Sequence, residues 1–291
     1  MMVLNILEKA RLKQVFVFAL MLCSYSSIAQ QKTSPKGSLF IIGGGSRSPE
    51  LVQKLIKTAN LGPKDYMIVL PMSSGDPIGS FNAIKEELSA QAANSIGYLN
   101  FNAESAGNKQ LLDSLSGAKL IFITGGDQSR FMKVVLNTPI YKAIHQAYNN
   151  GATVAGTSAG AAVMSKYMIT GSQLVGDTTY RETFNKLVDK NIEFEQGLDL
   201  LTSVIIDQHF IKRSRFNRLL SALAAHPTFD CVGIDEGTAI IVQGKKIEVA
   251  GVSQVLRIAD PKNLKTTKTG HIKMESLRFN MFTKGDVFYV K

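Results

Sequence analysis

The sequence has few of the residues that build disulfide frameworks and metal clusters. Its cysteines and histidines are Cys23, Cys231, His145, His209, His226 and His271. Two cysteines exclude a disulfide framework and a cysteine metal cluster, and the four histidines have no close metal-ligand spacing. We therefore expect a protein that works without a metal or an organic cofactor.

Patterns for binding nucleotides and nucleic acids are also absent. Gly43-Gly44-Gly45 follows an apolar run, but neither G-x-G-x-x-G nor a P-loop lysine pattern comes after it. The net charge is +10, yet the basic residues are scattered and form no stripe interleaved with aromatic residues. We expect no nucleic-acid partner. The charge favours acidic small substrates, and the glycines favour a tight turn near a site.

The N-terminus has the three parts of a secretory signal peptide. They are the basic residues Lys9, Arg11 and Lys13, the apolar run Val15–Cys23, and the small-x-small site Ser27–Ala29. This pattern predicts cleavage after residue 29 and a mature chain, residues 30–291, exported to the periplasm or the exterior. The apolar run is too short to span a bilayer comfortably, so we expect no stable membrane insertion after cleavage. A lipoprotein anchor at Cys23 is the alternative.

Continuous apolar runs alternate with helix-forming runs between residues 38 and 234. Buried strands are predicted at 38–42, 66–70, 119–124, 203–207 and 231–234, with helices between most of them. This alternation predicts an α/β fold with a doubly wound, mostly parallel sheet that helices cover on both faces. The segment 170–197 has weak periodicity and is interpreted as an excursion over the site. From Thr238 onward, short alternating strands predict an antiparallel edge or a β-rich C-terminal extension, which begins at about residue 244.

The stretch Gly156-Thr157-Ser158-Ala159-Gly160 joins an apolar run to a helix-forming run. G-x-S-x-G between a strand and a helix is the nucleophile-elbow pattern, which presents its serine at the carboxyl edge of a sheet. The turn is tight, so the residues beside Ser158 must be small, as they are. The N–H of Ala159 at the helix start is then free to stabilise an oxyanion. The alternative is a glycine-rich turn whose serine only caps the helix.

A serine nucleophile needs a base within hydrogen-bonding reach and an acid that orients the base. Among the histidines, only His209 directly follows a buried strand, at the sheet edge where Ser158 is expected. Two acids compete as its partner. Asp207 lies two residues away, on the same side of an extended strand, and Glu236 ends the next buried strand at the same edge. The residues alone leave Asp207 and Glu236 as equal candidates.

Four sequence blocks together are far more specific than the elbow alone. They are Phe122–Gln128 (FITGGDQ), Gly156–Ala161 (GTSAGA), Asp207–Phe210 (DQHF) with Arg213, Arg215 and Arg218, and Gly233–Glu236 (GIDE). Through these blocks the chain resembles the cyanophycinases and, more distantly, the aspartyl dipeptidases of the same serine-peptidase family. The resemblance covers roughly residues 38–243 and leaves the C-terminal extension largely outside.

The resemblance implies a flavodoxin-like fold of the class I glutamine amidotransferase type, with serine in place of that fold's cysteine nucleophile. It implies Ser158 as nucleophile, His209 as base and Glu236 as acid. The oxyanion N–H groups would come from Gly126 and Ala159, and the substrate pocket would be lined by Gln128, Asp207, Gln208, Arg213, Arg215 and Arg218. A homodimer is also consistent with the resemblance.

We therefore expect an exported serine hydrolase that cleaves β-aspartyl bonds of the β-Asp-Arg type found in cyanophycin, through an acyl-enzyme on Ser158. The arginines suit a substrate carboxylate, and Asp207 or Glu182 suits a cationic side chain. Asn217 stands where the family usually has glycine between the last two arginines, which leaves the substrate open. The alternatives are an aspartyl dipeptidase that does not act on cyanophycin and an exported binding protein without catalysis.

Overall fold

The secondary structure follows the alternation seen in the sequence. The computed structural model describes residues 35–176, 178 and 182–291. The strands are β1 Ser38–Ile42, β2 Met67–Leu70, β3 Ile96–Tyr98, β4 Leu120–Ile123, β5 Thr153–Thr157, β6 Tyr167–Gln173, β7 Ile192–Gln196, β8 Val204–Gln208, β9 Asp230–Ile234, β10 Thr238–Gln243, β11 Lys246–Gly251, β12 Val255–Lys262, β13 Lys265–Thr266, β14 Ile272–Lys273, β15 Ser276–Phe282 and β16 Val287–Tyr289. The helices are α1 Pro49–Ala59, α2 Pro77–Ser89, α3 Lys109–Ser116, α4 Gln128–Val135, α5 Pro139–Asn149, α6 Ala159–Ala162 and α7 Phe216–Ala225.

The main sheet is mostly parallel and is covered on both faces. Among the described residues it has eight strands, in the order β16-β11-β10-β1-β5-β4-β2-β3. Strands β1 to β5 are parallel to one another, with α1 and α2 packed on one face and α3 and α5 on the other. Alternate residues of β1 point to opposite faces and are all buried, which explains its continuous apolar run. The predicted doubly wound α/β fold is confirmed.

The strands β8 and β9 form part of a second sheet, which the sequence did not predict. Within the described residues this sheet has the order β15-β12-β9-β8, and β8 pairs in parallel with β9. Its one face, which includes Ile206 and Val232, joins the core of the main sheet, and its other face packs against α7. A strand that is buried on both faces has a continuous apolar sequence whether it belongs to the main sheet or to the second sheet. The apolar runs therefore predicted that β8 and β9 are buried, but not which strands pair with them.

The C-terminal strands extend both sheets. Strand β10 pairs antiparallel with β1, and β11 and then β16 follow β10 at that edge of the main sheet. Strands β12 and β15 complete the second sheet. The predicted β-rich extension is confirmed, and it is integral to the fold, since residues Pro35–Lys291 pack as one compact unit. The signal peptide predicted at residues 1–29 lies outside the described residues. No helix in the described part is long and apolar enough to cross a membrane.

A β-hairpin forms in the segment that was predicted as an excursion over the site. Strands β6 and β7 pair antiparallel at the two ends of segment 170–197. In β7 the apolar Ile192 and Phe194 alternate with the polar Glu193 and Glu195, as in a half-buried strand. This short alternation was the available signal for the hairpin, and five residues were too few to stand out from a polar surrounding.

Candidate active site

Ser158 occupies a strained turn between β5 and α6. Its backbone has φ 53° and ψ −110°, outside the regular regions. The flanking glycines make the turn possible, because a Cβ at Gly156 would lie 2.2 Å from the carbonyl oxygen of Gly160. A Cβ at Gly160 would in turn lie 2.3 Å from the carbonyl oxygen of Ile123. The two glycines of G-x-S-x-G thus let strand and helix meet, and the turn leaves Ser158 partly exposed.

His209 reaches Ser158 from the end of the second sheet. The Oγ of Ser158 lies 2.8 Å from Nε2 of His209. His209 itself has φ 48°, and its N–H donates to the carbonyl oxygen of Gly43 at 2.7 Å. This hydrogen bond ties the end of β8 to the loop after β1, and so it aligns the two sheets at the site.

Glu236, and not Asp207, contacts the imidazole. The Oε1 of Glu236 lies 2.6 Å from Nδ1 of His209. Asp207 is fully buried and is held by Arg218, whose Nε donates to its Oδ2 at 2.8 Å. The rule that residues two apart share a side applies only along an extended strand. Because His209 has a left-handed backbone, strand β8 ends at Gln208. The side chain of His209 therefore does not lie on the same side as that of Asp207.

The loop Gly43-Gly44-Gly45 packs directly against the histidine and the glutamate. Gly44 has φ 114°, and a Cβ there would lie 2.3 Å from Cε1 of His209. A Cβ at Gly45, whose φ is 70°, would lie 2.8 Å from Cβ of Glu236. The expectation of a tight turn near a site therefore has a physical reason: side chains on this loop would displace both residues.

Two backbone N–H groups lie beside Ser158 without a protein acceptor. Among the described residues, the N–H groups of Gly126 and Ala159 donate to no protein oxygen. The loop of Gly126 passes close to the serine, since a Cβ at the preceding Gly125 would lie 3.4 Å from Cβ of Ser158. Gly126 has φ 133°, and a Cβ there would lie 2.2 Å from the carbonyl oxygen of Ser73, so only glycine fits. Both groups are available to a developing negative charge.

The environment of His209 favours its neutral form. Burial lowers the pKa of the imidazole below its ordinary value of 6.5, and the charges of Arg213 and Arg215 lower it further. The hydrogen bond and the charge of Glu236 act in the opposite direction. Since burial is the largest cause, the pKa is lowered overall, and the imidazole is free to accept a proton at neutral pH.

A polar pocket of about 370 Å³ opens beside Ser158. Of the residues predicted to line a substrate pocket, all except Asp207 line it. Its walls include Gly126, Gln128, Gln208, Arg213, Arg215 and Arg218. In the described part of the chain, no group of three or more histidine, cysteine, aspartate or glutamate side chains is placed to hold a metal ion.

The predicted direct contact between Asp207 and a cationic substrate group is corrected by its burial. Asp207 has no exposed surface and forms buried ion pairs with Arg218 and Arg215, the latter at 3.6 Å. Arg218 also donates to Oε1 of Gln208 at 3.3 Å. Asp207 thus compensates the charge of two arginines and fixes their position at the pocket. It acts on any ligand through them.

Five pocket residues were not among the predicted site residues. They are Asp127 before α4, Ser129 on α4, Thr170 and Ser172 on β6, and Glu193 on β7. Gln128 connects the two elements, since its Nε2 donates to the carbonyl oxygens of Ile169 at 3.1 Å and Thr170 at 2.7 Å. The three hairpin residues belong to segment 170–197, which was predicted as an excursion over the site, but its weak periodicity did not indicate which of its residues face the pocket.

A serine on a strained strand-to-helix turn, hydrogen-bonded to a histidine that a carboxylate holds, is the arrangement of the serine hydrolases. Comparison with known proteins identifies a single family within this class. The chain matches peptidase family S51 over residues 39–250 and belongs to that family; it is a serine-type peptidase.

Three known proteins illustrate the similarity. The chain is 33% identical over 269 residues to the cyanophycinase of Trichormus variabilis, covering 88% of this chain and 86% of that one. It is 29% identical over 166 residues to peptidase E of Actinobacillus pleuropneumoniae, covering 54% and 65%. The crystal structure of a peptidase from an acI-B1 actinobacterium matches the fold with a TM-score of 0.63 at 22% identity, covering 88% of this chain and 98% of that one.

Proposed function

We propose that this protein is an exported hydrolase of β-aspartyl peptide bonds, with β-Asp-Arg units of the cyanophycin type as its substrate. The observation that carries the proposal is the continuous hydrogen-bonded series from Ser158 through His209 to Glu236, at the mouth of a pocket with three arginines. The similarity to cyanophycinases over most of the chain supports the substrate class. The proposed export rests on the N-terminal sequence, and no cofactor is required.

The proposed reaction begins with attack of Ser158 Oγ on the carbonyl carbon, while Nε2 of His209 accepts the hydroxyl proton. Glu236 holds the imidazole by its Nδ1 and stabilises the imidazolium that forms. When the C–N bond breaks, His209 gives the proton to the departing amine, and an ester on Ser158 remains. Water then attacks the ester with His209 again as base, which releases the aspartyl carboxylic acid and restores the serine hydroxyl.

The oxyanion of each tetrahedral intermediate would be stabilised by the N–H groups of Gly126 and Ala159. Both are fixed by backbone structure before the substrate arrives, so their dipoles need no reorganisation during the reaction.

The pocket arginines suit a carboxylate at the other end of the substrate. Arg213 is partly exposed in the pocket, and a guanidinium binds a carboxylate by two parallel hydrogen bonds.

The pH dependence of hydrolysis should report the pKa of His209. The base must be neutral, so kcat/KM falls as the pH falls through this pKa, and we expect the midpoint below the ordinary value of 6.5. The charge of Arg213 lowers the pKa, so Arg213→Gln should move the midpoint to higher pH. Glu236→Gln should move it to lower pH, because Glu236 raises the pKa, while also reducing kcat.

The matched control for the pH profile is Lys212→Gln, which removes a positive charge at the adjacent position. Lys212 is exposed and is not among the charges that shift the pKa of His209. Its midpoint should equal that of the native protein. Equal shifts in the Arg213 and Lys212 variants would point to net charge and contradict control by this particular arginine.

The substrate is tested by comparing β-Asp-Arg dipeptides and oligomers with α-Asp dipeptides, using the mature protein. Release of β-Asp-Arg from the oligomers, or of aspartate and arginine from the β-linked dipeptide, without cleavage of the α-Asp dipeptides supports the proposal. Cleavage of the α-Asp dipeptides alone would assign the protein to the aspartyl dipeptidases of the family. Cleavage of neither by a folded protein would contradict a hydrolase of aspartyl bonds and favour a binding role.

A further inference from the structure

Glu193 is a pocket carboxylate that has no basic partner among the described residues. It lies on β7 and lines the same pocket as Ser158. Its Oε2 accepts a hydrogen bond from Oγ1 of Thr170 at 2.6 Å, and no lysine or arginine in the described part of the chain forms an ion pair with it. A carboxylate has about four acceptor positions, so the described residues leave most of the capacity of Glu193 for a ligand.

The other carboxylates near the pocket are already engaged. Asp207 is paired with Arg218, and Glu182 lies 3.4 Å from Arg213. Asp127 caps α4, where its Oδ1 accepts from the N–H of Arg130 at 3.0 Å. Asp127 also lacks an ion pair among the described residues, but it lies at the N-terminus of α4, whose N–H groups and dipole compensate a negative charge. Among the described pocket acids, Glu193 is therefore the one held neither by an ion pair nor by a helix N-terminus.

The position of Glu193 is fixed before any ligand binds. Oγ1 of Thr170 donates to the carboxylate and also accepts from the N–H of Ser172 at 3.2 Å, which orients the hydroxyl. Gln128 commits its NH₂ group to the carbonyl oxygens of Ile169 and Thr170. The amide oxygen of Gln128 therefore stays available as a second acceptor in the same pocket.

We propose that Glu193, with the amide oxygen of Gln128, forms a subsite for a cationic side chain, in particular a guanidinium. The subsite rests on the proposed function: it binds the side chain of the residue that leaves when the aspartyl bond is cut. Two acceptors on neighbouring elements match the several N–H donors of a guanidinium. The arginines come from the segment before and within α7, so the pocket offers separate groups to the carboxylate and the cation of one dipeptide.

The test compares dipeptides that differ only in the leaving residue: β-Asp-Arg, β-Asp-Leu and β-Asp-Glu. Glu193→Gln should lower kcat/KM for β-Asp-Arg about 10- to 100-fold, mainly through KM, which is the range for a lost hydrogen bond to a charged group. The value for β-Asp-Leu should stay within about threefold. Glu193→Lys should go further and favour β-Asp-Glu over β-Asp-Arg.

The control variant is Glu195→Gln, because Glu195 lies on the same strand but outside the pocket of Ser158. It should leave both substrates unchanged. Equal losses for β-Asp-Arg and β-Asp-Leu in Glu193→Gln would show a general disturbance and overturn the subsite. Unchanged kinetics for both would overturn it as well.

Failure of the subsite can be told apart from failure of the proposed function. If the native protein cleaves none of the dipeptides, the function fails, and the subsite is decided by calorimetry with β-Asp-Arg and β-Asp-Leu on the Ser158→Ala protein. Tighter binding of β-Asp-Arg, lost in the additional Glu193→Gln variant, would support the subsite. Equal affinities, or a preference that survives Glu193→Gln, would overturn it.

Discussion

Ser158→Ala is expected to abolish hydrolysis of the β-aspartyl substrates, with kcat lower by about 10⁴- to 10⁶-fold, the range for removing a nucleophile that acts as a unit with its base. The hydroxyl is the atom that would carry the acyl group, and no other hydroxyl lies at Nε2 of His209 among the described residues. Alanine keeps the small side chain that the turn requires. The unfolding temperature should therefore change little, and the loss can be assigned to chemistry.

Ser158→Cys is the positive control for the same turn. A thiol can still form an acyl-enzyme, so we expect reduced but measurable hydrolysis that iodoacetamide abolishes. The native enzyme should resist the reagent. Cys231 is fully buried, and burial raises the pKa of its thiol far above the usual range, so it contributes no reactive thiolate.

The Ser158 prediction has a clear contrary outcome. Near-native kcat in purified Ser158→Ala, measured after contaminating activity has been excluded, would require another nucleophile or direct attack by water. It would overturn the acyl-enzyme mechanism while leaving the fold and the family unaffected.

Gly44→Ala is expected to lower kcat/KM by about 100-fold or more, the cost of a displacement of roughly 1 Å in a catalytic group. Its Cβ would lie 2.3 Å from Cε1 and 2.6 Å from Nε2 of His209, so the imidazole must move. That movement breaks the alignment with Ser158 and Glu236. Steady-state kinetics of the purified variant, with its unfolding temperature, measures the effect.

Gly151→Ala separates this displacement from backbone strain. Gly151 has φ 107°, close to the 114° of Gly44, but the nearest atoms to its added Cβ are 3.8 and 3.9 Å away. Both variants should lose about 1–3 kcal/mol of stability from the left-handed backbone, and only Gly44→Ala should lose activity at a temperature where both are folded. Equal activities in the two variants would refute the claim that Gly44 makes room for the imidazole.

The sequence was most informative where one residue type satisfies a local requirement. Glycine is required at 156 and 160 because a Cβ at either position would lie 2.2–2.3 Å from a backbone carbonyl oxygen. This requirement made the elbow recognisable in the sequence. The apolar runs predicted the strands of the main sheet, because a strand buried on both faces admits few polar residues. Spacing alone left two candidates for the acid that orients His209, and the resemblance to the family implied Glu236.

The sequence was least informative about what packs beside what. Strands β8 and β9 were predicted with the main sheet, since nothing in an apolar run records its hydrogen-bonded neighbour. Glu193 and Thr170 were missed because they enter the pocket from a hairpin with only a short alternating pattern. The sequence pattern around two residues that are far apart in the chain does not indicate that they lie in the same pocket.

The sequence by itself determined the α/β class, the elbow with Ser158, and the set of residues from which a serine-hydrolase site can be built. Only the tertiary structure showed the contact between Glu236 and His209, that Asp207 neutralises buried arginines, and why Gly44 must lack a side chain. The physical reason is the range of the interactions. Turn geometry and strand burial act between residues that are near in the chain, whereas an ion pair or a 2.3 Å approach depends on how two sheets meet.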